Sequence, residues 1–214
     1  MQPLSVEWER CPDGVEIIDR GPAPAAEPNK TRISGPHGLW LKARSDRRAP
    51  VVYEMQNLEN PVVMHFLNAR TPDDMAAFHS RFGMRGAFSE ESLEDCFQAR
   101  NNLMNFLAHS TTSQIAQATE VVNLLLEEVQ LRPTFDFSGP GKKPVITLHP
   151  KLLWHFMAME IATAASHGAE ISQCENCGKF FLTGPLTGRR SHAKYCSDRC
   201  RVAAMRKRNA EAGH

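Results

Sequence analysis

The sequence predicts a mainly α fold: a helical body with some β structure near its N-terminus, followed by a small cysteine-rich module. Three observations carry this reading. Apolar residues recur at helical spacing from about residue 61 to residue 166. Proline and glycine punctuate the first 50 residues, where only short strand-like runs occur. Four of the six cysteines fall between positions 174 and 200. The chain then divides into an irregular or β-rich segment over 1–50, a mainly helical domain over 51–169, and a compact module over 170–214.

Taken in order, Val15-Glu16-Ile17-Ile18 reads as a short strand after the Pro12-Asp13-Gly14 turn. Residues 21–28 alternate proline and alanine as a linker or extended loop, and Ile33 to Leu41 is a second strand. Val62 to Leu67 forms a short apolar helix. Thr71-Pro72-Asp73-Asp74 has the signature of a helix start: a capping hydroxyl, proline at the first helical position, and two acids at the positive end of the dipole. Met75, Phe78 and Phe82 mark the buried face of that helix, and Gly83 ends it. Ser89, followed by Glu90 and Glu91, is expected to start the next helix, with Leu93, Cys96, Leu103 and Leu107 on one face. Ile115 to Leu131 continues as a further helix, stopped before Pro133. Thr134 to Leu148 resembles a hairpin or extended arm around Gly139-Pro140-Gly141. An apolar helix follows from Lys151 to about Ser166, closed by Gly168.

With 42% hydrophobic and 23% charged residues, the chain can bury a real core. It has no apolar run of the roughly 18–20 residues that a bilayer span needs, so no membrane partner is expected. The first 20 residues carry five acids and no apolar stretch, which excludes a secretory signal and points to the cytoplasm. The net charge of +1 hides a division. From Ile171 to His214 there are nine Lys/Arg against three Asp/Glu, leaving 16 bases and 21 acids elsewhere. An acidic body thus carries a basic appendage, the kind of surface that meets nucleic acid.

No catalytic constellation emerges in residues 1–170, and no enzyme is expected. His65, His79, His109, His149, His155 and His167 are scattered without a nucleophile or paired carboxylate at a telling distance. A lone helical histidine is more often a core-edge or surface residue than a base or ligand. Cys96, on the apolar face of its helix, reads as a small hydrophobe.

The chemistry concentrates in Cys174-x2-Cys177-x18-Cys196-x3-Cys200. Paired cysteines this close, in a chain without a secretory signal, read as metal ligands rather than a disulfide framework. Four thiolates form the closed tetrahedron of a structural zinc site and leave no position for a catalytic water, so one structural zinc ion is expected. Two residues between Cys174 and Cys177 let one tight turn aim both sulfurs inward, and Gly178 supplies the positive φ such a knuckle needs. Ser197 is a good N-cap, which places Cys200 at the third position of a helix. Between the pairs, Lys179 to Leu182 and Ala193 to Tyr195 read as two strands joined by a turn over Gly184 to Gly188. Knuckle, hairpin and ligand-bearing helix together describe a treble-clef finger. His192 competes with Cys196 as a ligand, but Cys196 has the better geometry with Cys200.

Arg201 and Arg208 share one flank of the final helix, Arg199 and Arg206 the other, with Val202 and Met205 between. Arg189, Arg190 and Lys194 extend the basic surface onto the preceding loop. Arg189, Arg190, Lys194, Arg201, Arg206 and Arg208 are therefore the candidate nucleic-acid contacts, able to straddle a phosphate backbone or enter a major groove. One finger presents a small surface, so specific reading of DNA would call for a homodimer over two half-sites. The alternative is a zinc-dependent protein-interaction module in which these bases form a solvated helix face or a docking arm.

Gln173-Cys174-Glu175-Asn176-Cys177-Gly178-Lys179-Phe180-Phe181-Leu182, then Arg189-Arg190, then Tyr195-Cys196-Ser197 and the basic helix led by Cys200, resemble the CGNR-type zinc fingers. In that bacterial family the finger follows a mostly helical domain called ABATE, and its members are regarded as stress-related transcription regulators. The resemblance covers residues 150–208, weakens over 51–149 and is absent over 1–50. It implies DNA binding by the finger and a sensing or regulatory role for the body. The family's Cys-Gly-Asn-Arg stands here as Cys200-Arg201-Val202-Ala203, which keeps the ligand and loses the other three residues.

Overall fold

The helix start at Thr71 forms as its chemistry dictates. In the computed structural model, which describes residues 5–22, 37–54, 58–85, 90–110, 115–136 and 145–212, Thr71 caps helix α2 (Pro72–Phe82) through a complete capping box. The Asp74 amide donates to Thr71 Oγ1 at 3.1 Å, and the Thr71 amide donates to Asp74 Oδ2 at 3.0 Å. The neighbouring helix α1 (Val62–Leu67) follows Pro61 and has no cap of its own. Glu160 caps it from helix α5 (Leu153–Ser166): the Val62 and Val63 amides donate to its two carboxylate oxygens at 2.9 and 2.8 Å. Helix α2 is thus anchored by a local start signal, and α1 by a carboxyl group from a distant helix.

Helices α1, α2, α5 and α3 (Leu93–Ser110) close on one apolar core, with Phe66, Met75, Cys96, Leu153, Phe156 and Met157 almost fully buried. Phe66, Phe78 and Phe82 stack through tilted ring contacts 5.2 Å between centroids. Gly83 closes α2 at φ 100°, because any side chain there would run into Trp8 Nε1 and the Glu9 carbonyl.

Among the described residues, four small antiparallel sheets lie around this core. Strand β1 (Ser5–Arg10) pairs with β4 (Ala49–Glu54), Ser5 opposite Glu54. Strand β3 (Leu39–Ala43) lies between β2 (Val15–Asp19) and β5 (Glu90–Ser92). Strands β6 (Leu131–Asp136) and β7 (Val145–Pro150) form the expected hairpin arm, which follows helix α4 (Ile115–Glu127). The last sheet, β8 (Glu170–Gln173) with β9 (Phe180–Thr183), precedes the terminal helix α6 (Asp198–Ala212).

The mainly α expectation is therefore corrected. Helix accounts for 43% of the residues and strand for 24%, the latter in several small antiparallel sheets. The strands were hidden by their shortness and by their partners' distance in sequence. Glu90–Ser92, expected as a helix start, is extended because it pairs with Trp40–Lys42. Ser92 then caps α3, its hydroxyl accepting from the Asp95 amide at 3.4 Å, while Ser89 lies outside the described residues. Helix α4 stops at Glu127 rather than Leu131, because Leu131 is drawn into register with Pro150. Of the strand expected over Ile33–Leu41, Leu39–Leu41 belong to β3, and residues 33–36 lie outside the described residues, as do residues 23–28 of the linker. No helix is long and apolar enough to cross a membrane among the described residues.

Candidate metal centre

The Cys174–Cys177 knuckle is built by its own two arms. Strands β8 and β9 run antiparallel, Gln173 opposite Phe180, and the Cys174 amide donates to the Lys179 carbonyl at 2.9 Å. The Gly178 amide donates back to the Cys174 carbonyl at 2.9 Å, and Gly178 takes φ 68°, the conformation the sequence anticipated. The treble-clef ordering is corrected here: the hairpin is centred on the knuckle rather than lying between the cysteine pairs. Ala193–Tyr195 is not a strand among the described residues. The Lys194 carbonyl instead accepts the Glu175 amide at 3.0 Å, which brings the second cysteine pair over the first.

The second pair follows the expected rule. Ser197 caps α6, its hydroxyl accepting from the Cys200 amide at 3.3 Å, so Cys200 occupies the third helical position. The four sulfurs lie within 4.8 Å of one another. Cys196 Sγ is 3.6 Å from both Cys177 Sγ and Cys200 Sγ. A tetrahedron with metal–sulfur bonds of about 2.3 Å has sulfur–sulfur edges of about 3.8 Å, so the cluster has the size of a four-thiolate metal site.

Its electrostatics point the same way. Burial works to raise Cys174, but backbone hydrogen bonds from Cys196, Cys177 and Asn176 outweigh it and hold the thiol down at about 6. Burial and the surrounding thiols push Cys196 up to about 12, and burial raises Cys177, while the Ser197 hydroxyl lowers Cys200. Sulfurs this close resist full ionisation on their own. A divalent cation removes that resistance, and binding it releases the remaining thiol protons.

The candidate nucleic-acid residues divide. Arg189 is half-buried and its guanidinium is committed to carbonyls: Nε and Nη2 donate to Cys196 at 3.2 and 3.0 Å, Nη1 to Glu59 at 2.9 Å. It also lies over the Phe181 ring, 5.7 Å from the centroid. Arg190, Lys194 and Arg201 are exposed and, with Arg189 and His192, line a cleft of about 770 Å³ beside the cysteines, where Glu59 and Asp198 also lie. Lys194 pairs with Glu175 at 3.1 Å and Arg201 with Asp198 at 3.2 Å, both in solvent. Arg206 and Arg208 are exposed further along α6, beside Arg199 and Lys207 on the same helix. His192 is exposed in the cleft and is not part of the ligand cluster.

A family of unknown function, DUF6076, matches residues 127–203, from the end of α4 through all four cysteines. No curated protein and no solved structure matches the chain. Nothing in these matches links the chain to the CGNR or ABATE families. What stands is a four-cysteine cluster that can bind one metal ion.

Proposed function

We propose that the four-cysteine cluster holds a structural zinc ion and that the chain is a DNA-binding protein acting as a bacterial transcription regulator. Zinc is the reading that four closely set thiols favour, because it takes a closed tetrahedral thiolate sphere and has no redox chemistry to expose. The observation that carries the DNA reading is the set of exposed bases beside that cluster: Arg190, Lys194 and Arg201 at the cleft, and Arg206 and Arg208 further along α6. At 1.5 Å per residue the 15-residue helix spans about 22 Å, enough to lie along a major groove. The resemblance to CGNR fingers supports the same role.

Arg189 is left out of the contact set, since its donors serve the finger itself. The five remaining bases give a log-affinity against log-salt slope of about −4.5, at about 0.9 per neutralised phosphate. The test is a titration of labelled duplex at several salt concentrations, wild type beside an Arg206→Ala, Arg208→Ala variant. The slope is expected to shrink by about 2 with bound metal unchanged. An unchanged slope with metal retained would overturn the DNA reading and favour a protein-interaction module. For the metal, Cys196→Ser is expected to lower zinc content by one ion per chain in elemental analysis.

A further inference from the structure

Away from the finger, two helices and the short strand between them bring a histidine, a glutamate and a cysteine together. His79 lies on α2, Glu91 on β5 and Cys96 on α3, and their ligand atoms fall within 4.8 Å of one another. His79 and Cys96 have no exposed surface, and the Glu91 side chain is 9% exposed. We propose that His79, Glu91 and Cys96 form a second metal site, separate from the four-cysteine centre, which takes a divalent zinc-like ion and leaves one position for an exchangeable ligand.

The histidine sets the argument. Its Nδ1 lies 2.8 Å from the Met75 carbonyl oxygen, which can only accept, so Nδ1 carries the proton. In the neutral ring Nε2 is then a bare lone pair. It is wholly buried, has no hydrogen-bond partner, and faces Glu91 Oε2 at 3.6 Å. Two acceptors facing each other in a dry interior repel unless something positive sits between them. That separation exceeds the roughly 2.7–3.2 Å of an N–H···O hydrogen bond, so a proton on Nε2 would bridge it poorly. A metal bridges it well: bonds of about 2.0–2.2 Å to nitrogen and oxygen give a tetrahedral edge of about 3.4 Å. Cys96 Sγ lies 3.5 Å from the same Oε2, which matches the sulfur–oxygen edge of about 3.5 Å that such an ion would set. A histidine that donates its other ring N–H to a backbone carbonyl is also in the usual posture of a metal ligand.

The remaining neighbours fit supporting roles. Arg85 Nε donates to Glu91 Oε2 at 2.9 Å and its guanidinium rests 5.9 Å from the Phe66 ring centroid, so it orients the carboxylate. Burial pushes the Cys96 thiol up to about 12 against the pull of the Arg85 charge, so without an ion the thiol keeps its proton and donates to Glu91. A bound divalent ion displaces that proton to solvent and takes the thiolate. Ion, thiolate, glutamate and Arg85 then sum to one positive charge, which selects an anion, hydroxide in plain buffer, for the fourth position. Nitrogen, oxygen and sulfur from one residue each suit a borderline ion such as zinc rather than calcium or magnesium.

The test uses the full chain. After equilibration with zinc and removal of the excess, elemental analysis of wild type is expected to give two ions per chain. His79→Ala and Cys96→Ala should each give one, with the four-cysteine site still filled, and Cys196→Ser should keep the ion at His79. Cadmium-113 NMR of the wild type checks the result without any substitution. Two resonances are expected, the all-thiolate site downfield of the mixed one. A single downfield resonance, or variants at His79 and Cys96 that keep two ions, would overturn the proposal. So would one zinc per wild-type chain together with a protonated His79 ring, which would identify a buried ion pair.

Discussion

Replacing Glu160 with Gln tests how a buried carboxylate sets the pH response of the fold. Glu160 is completely enclosed, and that burial pushes its carboxyl up from 4.5 to about 8, opposed by the amides of Val63 and Val62. A raised acid binds its proton more tightly in the folded than in the unfolded chain. Its contribution to stability is therefore fully present below the unfolded value and is lost as pH rises through about 8. At about 1.4 kcal/mol per unit, the loss between pH 5 and pH 9 has a ceiling on the order of 4–5 kcal/mol. With about 2.1 cal/mol/K of unfolding entropy per residue over 214 residues, that corresponds to a fall in Tm of about 10 °C.

Glu160→Gln keeps one acceptor for α1 but turns its amide nitrogen toward the second backbone N–H. It should cost about 1–3 kcal/mol at pH 5, where the glutamic acid is neutral. Above pH 8 the gap should close and, near the ceiling, reverse, because the variant has no proton to lose and the wild type's loss exceeds about 1–3 kcal/mol. Thermal melts of both proteins from pH 5 to pH 9, followed by circular dichroism in zinc-saturated buffer, give the difference directly. The zinc background matters, since thiolate ligation gains strength with rising pH and would mask the opposite trend. Parallel pH profiles for the two proteins would refute the reasoning, because they would show that Glu160 does not change its protonation over that range.

Two further outcomes follow from the same structure. Thr71→Ala removes the hydroxyl half of the capping box on α2 and should cost about 1 kcal/mol, read as a Tm fall of about 2 °C, with metal content unchanged. Chelation of the ion held by the four cysteines should lower the Tm of the whole chain in a single transition, because Leu182 of β9 lies in the main core. Two resolved transitions, one unaffected by chelator, would show instead that finger and body melt apart.

What could be read from the sequence was local. The Thr71 cap, the knuckle at Cys174–Cys177 and the Ser197 cap each need only residues within one turn of the chain, and each formed as expected. What escaped depends on distant partners. Glu90-Glu91-Ser92 looks like an acidic helix start until β3, some 50 residues earlier, offers it an edge. The His79, Glu91 and Cys96 cluster has no spacing signature, because two helices and a strand each supply one residue. Arg189 counts as one of nine Lys/Arg over residues 171–214, yet its fork is satisfied by carbonyls from residues 59, 187 and 196. Glu160 lies on a helix that its sequence marks only as apolar, and folding places the α1 amides against it.

These unread contacts are also the ones that join the metal centre to the body. Arg189 bonds the Cys196 carbonyl to that of Glu59, and the Leu58 amide donates to the Leu186 carbonyl at 2.7 Å. Both contacts fall just ahead of Pro61, where α1 starts on the Glu160 carboxylate. At the other end of α1, Asn68 exchanges two 2.8 Å hydrogen bonds with the Phe180 backbone, and Arg70 donates to the Gly178 carbonyl beside the knuckle. A six-residue helix is too short to hold its shape alone, so α1 takes its order from what clamps its ends. One clamp is the carboxyl group of Glu160 on α5; the others are the loop and hairpin that carry the four cysteines. A metal ion bound by the four cysteines and the packing of α1 would then stabilise each other through one shared coupling free energy. The finger is in this sense a wall of the body's core, with its basic helix the part left outside.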